Sequence, residues 1–331
     1  MTIKLEKTIV ITALILTAAV LLSGCIQSQT TTEKPVEQQP EITKQATKQK
    51  ITIAIQPTQQ ADEIMPRAEE LETFLESKVN ADIEIYVPMS YSAVVESLRF
   101  GHAQVGLMSA WPAAASARLA GTDVVLAEVR EVIIDGQKTN QTYYYSHYIV
   151  MKNSSYTRLE ELKGKRVVYA SLTSTSGYLF PVAKLVEKSL ISEPAPGKEA
   201  DPKEFFSTVA TPGGYGPAWD TLKRGQADVG VIAGDVSESL FKEVMDNTRI
   251  IETQGPVPSH GVVFSKSLEA PLRSELINAF MELNEPERQD LMKKLVSAIF
   301  VEFKRTSNEE HLSGLSGALN ATGYKLTEKL G

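Results

Sequence analysis

SLRFGHAQVGLMSA, residues 97–110, reads as the end of a helix, a glycine stop, a short loop and a buried apolar strand that exits into small residues. TLKRGQADVGVIAG, residues 221–234, runs through the same order. Gly101 and Gly225 stand where a helix ends most cheaply on glycine. The runs VGLM and VGVIA are apolar without alternation, as in strands covered on both faces. Few residues are shared, so this is an echo of architecture and not a sequence repeat. It implies that one α/β plan is built twice along the chain.

Working outward, the same beat continues on both sides. ITIAI (51–55) reads as a strand, 61–78 has helical spacing, DIEIYV (82–87) alternates as a strand, and 91–100 is helical again. A helix over 112–120 and the strand DVVLAEVREVII follow the first echo stretch. A second set runs from helix RLEELKG and strand RVVYA through a helix from about Thr175 to Leu190. It goes on with strand FFSTVAT, helix YGPAWDTLKRG, strand ADVGVIAG, helix DVSESLFKEVM and strand RIIETQ. After GPVPSH (255–260) come the strand GVVFSK and long helices over 271–283 and 286–303. One strand and its helices do not make a domain, so this last part is expected to return to the first lobe. The fold class expected is α/β with two lobes, each a mixed sheet flanked by helices. Residues 51–147 and 258–331 would form lobe 1 and 148–257 lobe 2, with crossings near 143–151 and 255–261. Ligands of open α/β sheets bind outside the carboxyl ends of strands, so the site is expected in a cleft between the lobes.

The first 24 residues stand apart. MTIKLEKTIVITALILTAAVLLSGC has Lys4 and Lys7 before an uncharged apolar run and then small residues, the pattern of a secretion signal. Its end, Leu22-Ser23-Gly24-Cys25, resembles a lipobox, which would leave Cys25 as an acylated N-terminus. The other reading is a plain N-terminal membrane helix, for which the run is short against the ~20 residues needed to span. Cys25 is the single cysteine in 331 residues, so disulfides are excluded and stability must come from packing. Residues 25–50 are rich in Gln, Thr, Lys and Glu without an aromatic, and read as a disordered tether reaching ~25–30 Å. The net charge is −7, and loss of residues 1–24 (Lys4, Lys7 and Glu6, net +1) would make it −8. With no basic block, a nucleic-acid partner is not expected.

The chemistry begins at LTSTSGYLFP. A helix's first turn offers about four unpaired N–H groups and partial positive charge, which already suits an anion. Ser174, Thr175 and Ser176 add hydroxyl donors, and Gly177 would let a ligand approach the backbone. The alternative is a surplus N-cap in an ST-turn. TPGGYGPAW places Gly213 and Gly214 before a helix opening at Tyr215, and PMSYSAVVESLRFG places Ser90 as a cap before Tyr91. Each tyrosine either donates to a ligand or packs. Ser109, at the exit of the first echo strand, is taken with them as a site residue. His102, His147, His260 and His311 are isolated from one another and lack metal spacing, and no nucleophile elbow, Walker loop or dinucleotide fingerprint is present. No cofactor is expected and no catalysis.

ELKGKRVVYASLTSTSGYLFP (161–181), SYSAVVESLRFG (90–101) and GGYGPAWDTLKRGQADVGVI (213–232) resemble the phosphonate/phosphate/phosphite-binding proteins of ABC transporters, the PhnD-like family with the type II periplasmic-binding fold. The resemblance covers about residues 51–300. It implies that Ser174, Thr175 and Ser176 take the phosphoryl oxygens, that Tyr91 contributes from the first lobe, and that the run from Tyr143 to Tyr145 lies near the lobe crossing, with Tyr145 as a site residue. Aminoalkylphosphonate binders carry a histidine where this chain has Tyr215, an acidic residue where it has His260, and a carboxylate at the place of Asp235. A cationic amine would want both carboxylates, so phosphate, phosphite, methylphosphonate or another small oxyanion fits better than 2-aminoethylphosphonate. His260 either bonds the ligand or sits in the hinge. The implied partners are an ABC permease and ATPase, with membrane attachment through Cys25 and a monomeric receptor. A sensory ectodomain of the same fold, a receptor for a sulfonate, and an enzyme acting on phosphate esters are the other readings.

Overall fold

The computed structural model describes residues 48–57, 61–135, 137–234 and 236–325. Cys25, the leader, nearly all of the tether and Asp235 lie outside them. Among the described residues the strands form one sheet of seven and one of five. In the first, β1 (Gln49–Ile55) is followed by α1 (Ala61–Glu76) and β2 (Ala81–Tyr86), parallel to β1. α2 (Tyr91–Arg99) returns the chain to β3 (Val105–Met108), parallel on the other side of β1. α3 (Ala110–Ala120) stops at left-handed Gly121 and leads into the long β4 (Asp123–Ile134), which pairs antiparallel with β5 (Gln137–Gln141).

The second sheet takes the middle of the chain. It holds β6 (Tyr143–Met151), β7 (Arg166–Val168), β8 (Thr208–Ala210), β9 (Val229–Ala233) and β10 (Thr248–Pro258), in the order β10-β6-β9-β7-β8. Between them lie a π turn over Thr175–Leu179 that runs into α4 (Phe180–Glu187), then α5 (Tyr215–Lys223) and α6 (Glu238–Asn247). β7 is parallel to β8 and β9, while β6 is antiparallel to β9 and β10. β11 (Gly261–Phe264) then re-enters the first sheet, antiparallel between β3 and β4. α7 (Leu272–Met281), α8 (Pro286–Leu295), β12 (Phe300–Arg305), α9 (Asn308–Leu312) and α10 (Ser316–Thr322) complete the chain.

The echo stretches occupy equivalent places: β3 lies beside β1 as β9 lies beside β7, each preceded by its helix. A Cβ at Gly106 would stand 3.0 Å from Leu98 Cδ1, and one at Gly230 3.1 Å from Leu222 Cδ2, so in both sheets glycine lets the helix lie close to the strand.

One expected helix is in part a strand. The helix expected over 286–303 stops at Leu295, and residues 300–305 are a strand on β4. Phe300 and Phe303 are both buried, a spacing of three that suits a helix face. Here a register shift between Phe300 and Glu302 turns both rings inward from a strand.

On β1, Ile51, Ile53 and Ile55 face one core with residues of α1, α7 and α8, while Ala54 faces another with Val94, Leu98 and Ala113 of α2 and α3. The second lobe's core gathers around β6, β7 and β9 and reaches Ala110, Trp111 and Ala114 of α3. Each such large apolar side chain contributes about 1.5–3 kcal/mol by leaving water. Because α3 belongs to the first lobe, the two lobes pack against each other at its N-terminal end.

Candidate functional site

Four helix openings carry the residues of interest. At α4, Ser174 is the cap: its Oγ accepts from Gly177 N at 2.9 Å, and its carbonyl accepts from Leu179 N at 3.0 Å, five residues on, which makes the opening a π turn. One hydroxyl therefore serves the helix, and Thr175 and Ser176 do other work. Thr175 Oγ1 accepts from the backbone N–H of Trp111 at 2.8 Å, the second residue of α3 and a member of the other lobe. Ser176 Oγ accepts from the Tyr144 hydroxyl at 2.7 Å and shares a hydrogen bond with the Tyr215 hydroxyl at 2.8 Å. All of these side chains are buried.

The space a Cβ would take at Gly177 is filled by Ala170 Cβ and Ser174 Oγ, each 2.7 Å away. Gly177 thus leaves room for the cap's own hydroxyl. At α5, Gly213 has φ +105° and donates to the Ala170 carbonyl at 3.0 Å, which docks the turn beside the exit of β7. A Cβ at Gly214 would meet the Pro57 carbonyl at 2.9 Å, so here the second lobe touches the end of β1.

In the first lobe, Ser109 precedes α3, and its N–H and hydroxyl both donate to Gln56 Oε1 at 3.0 Å. Gln56 Nε2 and Trp111 Nε1 are buried with no hydrogen-bond partner among the described residues. At α2, Ser90 Oγ accepts from Ala93 N at 3.2 Å and Tyr91 is buried. His260, between β10 and β11, is buried, and its carbonyl accepts from Glu128 N at 3.0 Å.

Tyr145 is not brought into this cluster. Along β6 side chains alternate, so Tyr144 and Tyr148 face the second lobe's core, while Tyr145 shares the other face with Tyr143 and His147. Tyr145 lines a separate cavity of about 470 Å³ with Ile133, His147 and Phe241. Its neighbour Tyr144 makes the bond to Ser176. Over the Tyr144 ring lies Arg130 of β4, its guanidinium 4.0 Å from the centroid and fully buried. Arg130 Nε and Nη2 donate to Glu128 Oε2 at 3.2 and 2.8 Å. Gln56, Trp111 and the Glu128–Arg130 pair were not anticipated from the sequence, and within the run from Tyr143 to Tyr145 it is Tyr144, not Tyr145, that reaches Ser176.

Beneath α4, the Tyr148 hydroxyl bonds the Pro181 carbonyl and the Tyr169 hydroxyl, both at 3.0 Å. Burial pushes both phenols well above their ordinary range, so they remain neutral supports. Among the described residues no group of three or more His, Cys, Asp or Glu is placed to hold a metal ion.

Two α/β lobes that bring hydroxyl-bearing helix openings face to face define a binding protein of the type II periplasmic class. Residues 53–311 match the family described as "ABC transporter, phosphonate, periplasmic substrate-binding protein", and the chain belongs to that family. It is 24% identical over 232 residues to the phosphate-import protein PhnD of Mycolicibacterium smegmatis, covering 70% of this chain and 65% of that protein. The binding protein component of an ABC phosphonate transporter from Pseudomonas aeruginosa superposes with a TM-score of 0.64 at 16% identity, over 80% of this chain and 83% of that one. PhnD1 of Prochlorococcus marinus, solved with methylphosphonate, gives a TM-score of 0.66 at 13% identity, over 82% and 97%. At such identities the structural likeness speaks for the fold.

Proposed function

We propose that this chain is the solute-binding subunit of an ABC importer and that it closes on a small tetrahedral oxyanion of the phosphate, phosphite or methylphosphonate type. The carrying observation is the buried Tyr144–Ser176–Tyr215 hydroxyl chain at the opening of α4, beside a Thr175 that already accepts from the first turn of α3. Hydroxyls can rotate to donate to an anion, and helix openings from both lobes add N–H groups and partial positive charge. Gln56 Nε2 and Trp111 Nε1 are further buried donors in this region. Each hydrogen bond to a charged ligand in such a site contributes about 1.5–3 kcal/mol. Tyr91 and Ser109 are taken to contribute from the first lobe, and Tyr215, Asp235 and His260 to distinguish one ligand from another.

The receptor role requires a membrane permease and an ATPase as partners. In this reading residues 1–24 are removed on export, acylated Cys25 holds the protein at the membrane, and the residues between Cys25 and β1 link the anchor to the lobes. The lipobox-like Leu22–Cys25 segment supports the anchor, as does the presence of a single cysteine. Among the described residues no helix is long and apolar enough to cross a membrane.

Calorimetric titration of the full chain with phosphate, phosphite, methylphosphonate, sulfate and alkanesulfonates tests the proposal. At least one is expected to bind one to one, and Thr175→Ala is expected to weaken it about tenfold or more without unfolding the protein. Equal affinity of Thr175→Ala and wild type for every anion that binds would remove the site assignment.

A further inference from the structure

We propose that the buried Glu128–Arg130 pair is a specificity determinant, one that makes the site favour doubly charged tetrahedral anions over singly charged anions of the same shape. The inference rests on the oxyanion reading above. The hydroxyls and amides gathered at α3, α4 and α5 carry no formal charge, so they distinguish shape and hydrogen-bonding capacity better than total charge. Arg130 brings a guanidinium to their edge, its positive charge partly offset by Glu128. It is completely buried, on β4 where that strand leaves β12 and pairs with β5, and Tyr144 is the second residue of β6, the strand that takes the chain into the second sheet. Its guanidinium lies 4.0 Å over the Tyr144 ring, and the Tyr144 hydroxyl reaches Ser176 Oγ at 2.7 Å. A cation on the ring face polarises the phenol and strengthens its O–H as a donor. In a buried setting the charge also acts across the width of one ring with little screening.

Glu128 explains how such a charge is tolerated. A lone buried guanidinium would be strongly destabilising, and pairing through two N–H groups to one carboxylate oxygen offsets that cost. The titratable groups nearest the pair come from neighbouring segments. His260 takes Glu128 N–H on its carbonyl at 3.0 Å, and His311 of α9 bonds the Ser259 carbonyl at 2.9 Å. Desolvation holds His311 down to about 4, so near neutral pH it adds no charge of its own. Arg130 is a positioning residue for Tyr144 as well as a source of field. A merely structural role for the pair would change the affinity of all ligands together, whereas an electrostatic role changes their ratio.

Methylphosphonate and methanesulfonate separate the two roles, being alike in shape and differing by one charge at mildly alkaline pH. Their dissociation constants are measured, with phosphate as a second dianion, on full-length wild type, Arg130→Met and Glu128→Gln. Arg130→Met is expected to lower the preference for the dianions over methanesulfonate about tenfold. Glu128→Gln, which keeps the cation and removes its counter-charge, is expected to raise that preference. A ratio unchanged in Arg130→Met, or shifted in the same direction by both variants, overturns the inference while leaving the oxyanion reading in place. Should Arg130→Met not fold, the direction of the shift in Glu128→Gln decides. Wild type that binds no dianion overturns the oxyanion reading and this inference together.

Discussion

Ser174, Thr175 and Ser176 divide one task among three adjacent hydroxyls. Ser174 caps the helix, Thr175 meets the first lobe and Ser176 joins two tyrosines. The surplus of hydroxyls was legible in the sequence because one cap is enough for a helix, so the others needed a different use. Which of three consecutive tyrosines enters the site was not legible, because the face of β6 is set by pairing with β9 and β10. Gln56 and Trp111 were hidden for a related reason: their places depend on contacts between distant segments. A stability prediction belongs at this scale. Burial of His311, whose ring bonds the Ser259 carbonyl, lowers its pKa from 6.5 to about 4. The unfolded chain therefore takes up this proton first as pH falls. The stability tied to the neutral ring is present above about 6.5 and is lost progressively toward about 4. In chemical unfolding series across that window, His311→Gln is expected to show a shallower decline than wild type, and parallel declines would count against it.

Among the elements, the π turn before α4 decides how the hydroxyls are presented. It forms with Ser174 Oγ close against Gly177, where no Cβ fits. Gly177→Ala would place a methyl 2.7 Å from both Ala170 Cβ and Ser174 Oγ. The expected cost is about 1–3 kcal/mol of stability, with anion affinity falling as the cap shifts. Thermal melts and titrations of the same variant check both, and wild-type behaviour in each would show the turn to be more adaptable than its packing suggests. Other elements explain where sequence reading succeeded. Central strands buried on both faces, such as β3 and β9, stood out as apolar runs close to glycine. β12 did not, because its register shift gives Phe300 and Phe303 a helical spacing. The strand β5, QKTNQ, has no apolar residue to mark it and forms by pairing with β4.

For the whole molecule, the α/β order followed from the alternating strand and helix signals, and a return of the chain to the first lobe was expected because one strand and its helices do not make a domain. The closeness of the lobes did not, since it depends on contacts such as Trp111 N to Thr175 and Pro57 to Gly214. In the proposed function these contacts form as the lobes close around an anion. Gly214→Ala, which would set a Cβ 2.9 Å from the Pro57 carbonyl, is expected to fold normally, bind anions more weakly and show less ligand-induced compaction by small-angle scattering. Compaction and affinity equal to wild type would argue that this contact has no part in closure. The central claim, that a tetrahedral anion is held between the two lobes at the openings of α3, α4 and α5, is tested most directly by a crystal structure of the full chain grown with methylphosphonate. The account predicts the phosphonate oxygens within hydrogen-bond distance of Thr175 and Ser176 and of donors from the first lobe. Phosphonate bound at the Tyr145 cavity, or against one lobe only, would contradict it.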